Sequence, residues 1–184
     1  QRIQLHLLGQ HNVANALAAA AAALALGLSI AQIARGLGQV RPYHGRLMSH
    51  QLSHNRCVID DTYNANLGSV KAAIDVLQQC QGQRCFMLGD LGELGQQELQ
   101  LHQRIGTQVA AAGIEQFYAF GELAAAAVDS YLRAGGNYGK ICVNKQELSS
   151  CFEQLPKVDL SCLVKGSRSS QMEQVVETLI SDGI

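Results

Sequence analysis

An apolar stretch of the chain runs directly into a cluster of acidic and amide side chains. Residues 59–69 read Ile-Asp-Asp-Thr-Tyr-Asn-Ala-Asn-Leu-Gly-Ser. Open α/β sheets bind ligands beyond the carboxyl ends of their strands, which is where these side chains would lie. Carboxylates accept hydrogen bonds from ribose hydroxyls or bind a metal ion, and amides both donate and accept. The segment therefore predicts a site that handles a nucleotide or a peptide.

Two other segments place polar side chains where a predicted strand leads into a predicted helix. Residues 89–95 read Gly-Asp-Leu-Gly-Glu-Leu-Gly, a glycine-rich loop suited to an anion. The GxGxxG spacing of a dinucleotide site is missing there, and a plain turn is the alternative. Residues 165–168 read Lys-Gly-Ser-Arg and place two cations at a helix start, without the GxxxxGK[ST] frame of a P-loop.

Polar residues also lie at the start of an alanine-rich helical segment. His11, Asn12 and Asn15 are spaced so that their side chains project to one side of a helix. The amides suit a ligand, and the alternative is that they only cap or decorate the helix. Arg46 follows a glycine at the start of a predicted strand, where its guanidinium could bind phosphate or ribose oxygens. An ordinary surface arginine is the alternative there.

The composition indicates a soluble globular protein and argues against several classes. The chain has 184 residues, a net charge of −1 and dispersed Lys and Arg, so nucleic-acid binding is not expected. The apolar run Ala14–Leu28 is rich in alanine and interrupted by Asn15, which predicts a packed helix rather than a membrane span. Six cysteines without a CxxC pair predict reduced thiols in a cytoplasmic protein and no metal site. The chain lacks an initiating methionine, and we expect it to be cut from something longer.

The apolar patterns predict an α/β fold in which strands and helices alternate, giving right-handed βαβ units and a largely parallel sheet. The predicted strands are Ile3–Leu8, Arg46–Leu52, Arg56–Asp61, Arg84–Leu88, Gln116–Phe120, Lys140–Val143 and Leu160–Val164. The predicted helices are His11–Leu26, Ile30–Leu37, 70–77, Gln97–Ala112, Glu122–Arg133, Lys145–Leu155 and Gln171–Ile180. Residues 38–45 contain glycine and proline and predict a linker.

Several local features are predicted from residue types at helix starts. Ser69 is the predicted cap of the helix that follows the acidic segment. Capping boxes are predicted for Ser29 with Gln32, Asn144 with Glu147, and Ser170 with Glu173. His102 is predicted to be a helix-face histidine.

The chain resembles the Mur ligases in several separate stretches whose order and spacing match that family from end to end. These stretches are Gly9–Ala19, Gly45–Arg46, the DDTYNAN run, Leu88–Gly95, Leu163–Arg168 and Met172–Glu173. The chain departs from the family pattern at Leu67, where proline is usual, and at Leu91, where methionine is common. Neither change removes a polar contact.

The resemblance implies the fold and its division. Residues 1–41 would be the helical C-terminal end of the central ATPase domain. Residues 42–184 would be the C-terminal domain, a Rossmann-like, mostly parallel sheet flanked by helices.

The resemblance also implies roles for individual residues. It assigns nucleotide binding to His11, Asn12, Asn15, Arg46 and Asp61, with Asp61 on the ribose hydroxyls. It assigns peptide-substrate binding to Asn64, Asn66, Asp90, Glu93, Lys165, Ser167 and Arg168, and the two asparagines could equally be turn residues. Asp60 would have a structural or solvent-facing role. No catalytic residue and no metal ligand is expected within this chain.

The resemblance finally implies an activity, which is ATP- and Mg²⁺-dependent amide-bond formation through an acyl phosphate. The YNAN and LVKGSR segments favour the member that adds D-alanyl-D-alanine to UDP-N-acetylmuramoyl-tripeptide, a cytoplasmic and monomeric enzyme of peptidoglycan precursor synthesis. The P-loop and the Mg²⁺ ligands would lie upstream, so we expect this portion alone to be inactive. The alternatives are a sister ligase that adds a single amino acid, another nucleotide-dependent enzyme with a Rossmann domain, or a non-catalytic nucleotide- or peptide-binding module.

Overall fold

The computed structural model describes residues 1–182, which form two compact units, residues 1–43 and the residues from His44 onward. The first unit contains helices α1 (Gln10–Ala25) and α2 (Ile30–Gln39). Ser29 and Gln32 form the predicted capping box of α2. The assignment of this unit to a central ATPase domain stays a prediction.

Two expectations for the first unit were wrong. Residues 1–8 form no strand, because no strand with a free edge lies beside them in the described unit. The alanine-rich segment is helical as predicted, but apolar side chains of α1 such as Val13, Leu17 and Leu24 are exposed rather than packed. Across residues 1–182, no helix is long and apolar enough to cross a membrane.

The second unit is built on a six-stranded sheet with the order β1-β2-β6-β3-β4-β5. The strands are β1 (Met48–Gln51), β2 (Arg56–Asp61), β3 (Gln83–Gly89), β4 (Gln116–Phe120), β5 (Tyr138–Cys142) and β6 (Leu160–Lys165). Among the pairs of this sheet, only the β1–β2 hairpin is antiparallel, and its turn at Ser53–Asn55 lies between the two strands that the sequence predicted. Strand β6, the last in sequence among the described residues, pairs in the middle of the sheet between β2 and β3.

Helices cover both faces of this sheet. The helices are α3 (Leu67–Gln78), α4 (Glu98–Ala111), α5 (Glu122–Arg133), α6 (Lys145–Gln154) and α7 (Glu173–Asp182). Phe86 and Leu88 of β3 point into a core shared with α3, α4 and α5, whereas Cys85 and Met87 point into a core shared with α6 and α7. The alternation follows from the two-residue period of a strand. The predicted mostly parallel α/β fold is confirmed.

Helices α4 and α5 approach each other unusually closely. They meet at Gly106, where an added Cβ would overlap the carbonyl oxygen of Ala127 and lie 2.9 Å from the Tyr131 nitrogen. Only a residue without a side chain allows the two helix backbones to touch there.

The predicted helix starts need three corrections. Asn66, not Ser69, is the N-cap of α3, and Ser69 is the N3 partner of a reciprocal capping box. Asn144 accepts from the Glu147 backbone as predicted, but the Glu147 carboxylate accepts from Val143 instead of completing the box.

The third correction concerns Ser170, which lies in a short 3-10 turn and does not cap α7. Its hydroxyl hydrogen-bonds to the carbonyl oxygens of Asp90 and Ser167. Gln171 then adopts a left-handed conformation (φ 50°) before α7 begins. The sequence pattern assigned the Ser170 hydroxyl to the start of α7, but it forms a tertiary hydrogen bond with Asp90 instead.

Candidate functional site

Asp61 and Lys165 form a buried ion pair at the carboxyl edge of the sheet. They occupy paired positions on the neighbouring parallel strands β2 and β6. The Lys165 Nζ lies 2.6 Å from the Asp61 carboxylate and also donates to the backbone oxygens of Asp61 (3.3 Å) and Asn64 (2.9 Å). The lysine side chain is only 1% exposed. Lys165 therefore faces inward. The resemblance had implied that its charge is presented to a peptide, and its buried position does not fit that role.

The Asp61 carboxylate keeps capacity for a ligand. Its Oδ1 accepts from the Leu47 backbone at 3.2 Å and its Oδ2 pairs with Lys165, which leaves lone pairs on both oxygens. Its side chain remains 12% exposed. Burial raises the pKa of Asp61 and lowers the pKa of Lys165, and the attraction between the two charges opposes both shifts.

Asp60 is a structural residue, and the solvent-facing alternative was wrong. Its carboxylate is fully buried and accepts from His44 Nδ1 (2.9 Å), Gly45 N (3.1 Å), and both the N (3.2 Å) and Oγ1 (2.6 Å) of Thr62. These contacts tie the segment before β1 to the end of β2. Asp60 thus fixes the backbone just before Arg46 and just after Asp61.

Arg46 precedes β1 instead of opening it, and its exposed guanidinium stacks over the Tyr63 ring at 4.3 Å. The following residue, Leu47, has a positive φ of 50° and donates its N–H to Asp61, which brings the arginine to the edge where Asp61 lies. Sequence reasoning gave Tyr63 no role. An exposed aromatic residue within an acidic loop was the available signal, since aromatic faces pair with guanidinium groups.

The two asparagines of the same loop behave differently. Asn66 is exposed, but its Oδ1 accepts from the Ser69 backbone as the cap of α3. Asn64 is also exposed, and its Oδ1 accepts from the Ala65 backbone at 2.8 Å. Asn66 therefore fixes the start of α3, whereas Asn64 uses its oxygen within its own loop and is not tied to a helix.

Asp90 connects three loops of this edge. Its Oδ1 accepts from the Ala124 backbone at 2.7 Å, at the N-terminus of α5. Its carbonyl oxygen accepts from the Ser167 backbone (3.0 Å), the Ser167 hydroxyl (2.6 Å) and the Ser170 hydroxyl (2.8 Å). Asp90 and the buried Ser167, both predicted to bind substrate, therefore hold the loops together.

His102 lies on a face of α4, as predicted, and this face is the buried one, against the glycine-rich loop. The Leu91 backbone N–H donates to His102 Nε2 at 3.0 Å, which leaves Nδ1 as the protonated nitrogen that donates to the Glu98 carbonyl at 2.7 Å. The hydrogen-bond network therefore assigns a neutral tautomer to this ring.

Glu93 and Arg168 are the exposed charges among the predicted peptide-binding residues. Arg168 lies 3.4 Å from Glu173 but is 69% exposed. Glu93 has a left-handed backbone (φ 60°), which is unfavourable for a residue with a Cβ atom. Their charges point outward from loops that Asp90 and Ser167 hold in place.

Replacing Glu93 by glycine should stabilise the protein by about 1 kcal/mol relative to replacing it by alanine, because only glycine relieves the left-handed conformation. Both substitutions remove the carboxylate, so alanine is the matched control. Urea denaturation followed by circular dichroism measures the difference. Equal midpoints for the two variants would show that Glu93 carries no backbone strain.

The cluster at the start of α1 forms in part as predicted. Asn15 donates to the Asn12 side chain at 3.3 Å, and Asn12 donates to the Leu8 carbonyl at 2.8 Å. His11 and Asn15 are exposed. The amide of Asn12 thus orients Asn15, whose remaining polar atoms face outward.

The family model of the "Mur ligase, glutamate ligase domain" matches residues 45–168, more than half of the chain. This range includes Arg46, Asp61, Asp90 and Lys165. The match confirms the resemblance drawn from the separate motifs.

Curated relatives match almost the whole chain. The UDP-N-acetylmuramoyl-tripeptide--D-alanyl-D-alanine ligase of Escherichia coli strain K12 is 37% identical over 98% of this chain and 39% of that protein. The enzyme of the same name from Bacillus subtilis strain 168 is 32% identical over 95% of this chain and 39% of that protein. The chain therefore spans about two fifths of the length of these relatives.

Solved structures agree with this relationship. A crystal structure of MurF from Acinetobacter baumannii superposes with a TM-score of 0.86, at 36% identity, over 97% of this chain and 40% of that one. MurF ligase from Thermotoga maritima, solved in complex with ADP, gives a TM-score of 0.80 at 18% identity, over 96% of this chain and 39% of that one, and so shows the shared fold alone. By its domain match and its sheet, the chain belongs to the Mur ligase family.

Proposed function

We propose that this chain is the C-terminal portion of an ATP-dependent ligase that joins D-alanyl-D-alanine to UDP-N-acetylmuramoyl-tripeptide. The observation that carries the proposal is the exposed Arg46 beside the partly open Asp61 carboxylate, at the sheet edge where α/β proteins bind ligands. The similarity to proteins named for this reaction along 98% of the chain supports the choice of substrates. The full-length enzyme would be a cytoplasmic monomer of peptidoglycan precursor synthesis.

The nucleotide contacts follow from the chemistry of each side chain. The Arg46 guanidinium, held over the Tyr63 ring, is suited to phosphate or ribose oxygens. The free lone pairs of Asp61 are suited to ribose hydroxyls. In the first unit, we assign His11, Asn12 and Asn15 to the nucleotide, with the amides at the adenine edge.

The peptide contacts divide into direct and indirect ones. We assign direct contacts to the exposed side chains of Asn64, Glu93 and Arg168, with Arg168 on a substrate carboxylate. Asn66, Asp90 and Ser167 are assigned indirect roles, since their polar atoms already hold a helix start or neighbouring loops.

In the proposed reaction, the tripeptide carboxylate takes the γ-phosphoryl group of ATP and ADP is released. The free amine of D-alanyl-D-alanine then attacks the acyl carbon, and phosphate leaves from the tetrahedral intermediate. This chain would orient nucleotide and dipeptide, and closure of the domains would bring the reactants together and exclude water. We assign the Mg²⁺ ligands to the rest of the full-length enzyme, as the family resemblance implies.

The proposal is tested with the full-length protein, ATP, Mg²⁺, UDP-N-acetylmuramoyl-tripeptide and D-alanyl-D-alanine. We expect equimolar ADP, phosphate and a product extended by D-alanyl-D-alanine, measured by a coupled ADP assay and mass spectrometry. A panel of single amino acids is the control. Turnover with a single amino acid but not with the dipeptide would indicate a sister ligase, and nucleotide binding without turnover would indicate a binding module.

The 184-residue chain alone should release no ADP in the same assay, because its sequence contains no P-loop to hold the phosphates. Circular dichroism must first show that the chain is folded. Ligation by the folded chain would contradict the assignment of phosphoryl transfer to the missing portion.

A further inference from the structure

The ammonium group of Lys165 has no donor left for a substrate. An ammonium carries three N–H donors. All three have partners on one short loop, namely the carboxylate and carbonyl of Asp61 and the carbonyl of Asn64. With a side chain that is 1% exposed, the lysine is closed off from a bound peptide.

The strand that carries Lys165 is held on both sides. Lys165 is paired with Asp61 on one side and with Leu88 of β3 on the other. The next residue, Gly166, packs so closely on Met172 that an added Cβ would lie 2.7 Å from the methionine Cγ. The central position of β6 therefore fixes the lysine, and the lysine fixes the loop.

A buried ion pair is weak evidence of a contribution to stability. Burial raises the pKa of Asp61 and lowers the pKa of Lys165, so removing the two charges from water costs free energy. Buried ion pairs are often replaced by apolar residues without loss of stability. A role in fixing geometry explains why the charges lie here.

We propose that Lys165 is a positioning residue for the nucleotide, which holds the Asp61 carboxylate and the loop through Asn64 in the orientation that receives the ribose. This inference rests on the proposed nucleotide role of Asp61. It replaces the peptide-carboxylate role that the family resemblance implied for the lysine.

A double-mutant cycle in the full-length ligase tests the inference, with ADP as the probe. Lys165→Met should weaken ADP binding at least tenfold, measured by calorimetry. In the Asp61→Ala background, the same Lys165→Met change should alter the ADP Kd less than twofold, because the lysine acts through the aspartate. The KM for D-alanyl-D-alanine should rise less than the Kd for ADP.

Lys71→Met, at a 62% exposed lysine of α3, is the matched control and should leave the ADP Kd and the dipeptide KM unchanged.

Thermal unfolding of each variant shows whether it is folded. If Lys165→Met does not fold, Lys165→Gln replaces it. Glutamine keeps two N–H donors, and the Lys165→Gln variant should show the same coupling to Asp61 in ADP binding. An unchanged ADP Kd in the folded lysine variant would overturn the inference, as would a larger effect on the dipeptide KM than on ADP. Failure of the proposed function would look different, since Asp61→Ala itself would then leave ADP binding unchanged.

Discussion

Gly106→Ala should destabilise the second unit by about 3 kcal/mol or more, the largest effect we expect from one methyl group in this protein. The new Cβ would overlap the Ala127 carbonyl oxygen and lie 2.8 Å from its carbon, so backbone meets backbone. No flexible side chain can move aside to relieve the overlap. The two helices would have to separate, which would open the core around Phe117 and Tyr131. Urea denaturation followed by circular dichroism measures the loss.

Gly68→Ala is the matched control for this prediction, since it places the same methyl group in another helix of the same unit. Its nearest neighbour would be the Asn66 Oδ1 at 3.5 Å, an ordinary contact. Gly68 lies in the first turn of α3, where the preference for alanine over glycine is smaller than the roughly 0.5–1 kcal/mol of a helix interior, so this variant should be neutral or slightly stabilised. A Gly106→Ala midpoint at or above that of Gly68→Ala would contradict the close helix contact.

Asp60→Ala is expected to cost about 3 kcal/mol, because a buried carboxylate with four hydrogen-bond donors is removed. Of those donors, the backbone N–H groups of Gly45 and Thr62 lie in buried residues and would lose a partner. His44 is 66% exposed and can bond to water instead. The variant should also bind ADP more weakly in the full-length enzyme, since the segments that carry Arg46 and Asp61 would loosen.

Asp75→Ala is the control for Asp60→Ala. Asp75 pairs with Lys71 across one turn of α3, both half exposed or more, and such surface pairs contribute less than about 1 kcal/mol. Thermal unfolding and ADP calorimetry on the two variants give the comparison. Equal losses of stability would mean that the Asp60 hydrogen bonds do not hold the segments together.

Local patterns predicted most of the architecture. The strands around Phe86 and Leu163 are short apolar runs, and each is followed by apolar residues at helical spacing. Such patterns depend only on residues close together in the sequence. The capping box at Ser29 was equally visible, because both partners lie within four residues. The α3 start was misplaced because two residues three apart can each cap a helix. Leu67, the first residue of α3, stands where the family has proline, and proline favours the first position of a helix. This match would have identified Asn66 as the cap.

The roles of the site residues were harder to predict, because they depend on distant partners. Asp90 caps a helix through Ala124, 34 residues away, and Lys165 binds a carbonyl oxygen of Asp61, 104 residues away. A lysine in a motif loop predicts a cation at the surface, and only the strand order shows that it points inward. The position of Asp61 followed from the edge at which parallel strands end, whereas Arg46 reaches that edge because it precedes the antiparallel strand β1. Their detailed partners, Lys165 and Tyr63, required the fold.

The placement of β6 between β2 and β3 has a consequence for biosynthesis. While a ribosome is still making the residues before Leu160, both neighbouring strands have an open edge that another nascent chain can occupy. One edge of β2 and one edge of β3 therefore stay unpaired until Leu160–Lys165 has been made. We expect a chain that stops shortly before Leu160 to aggregate through these edges.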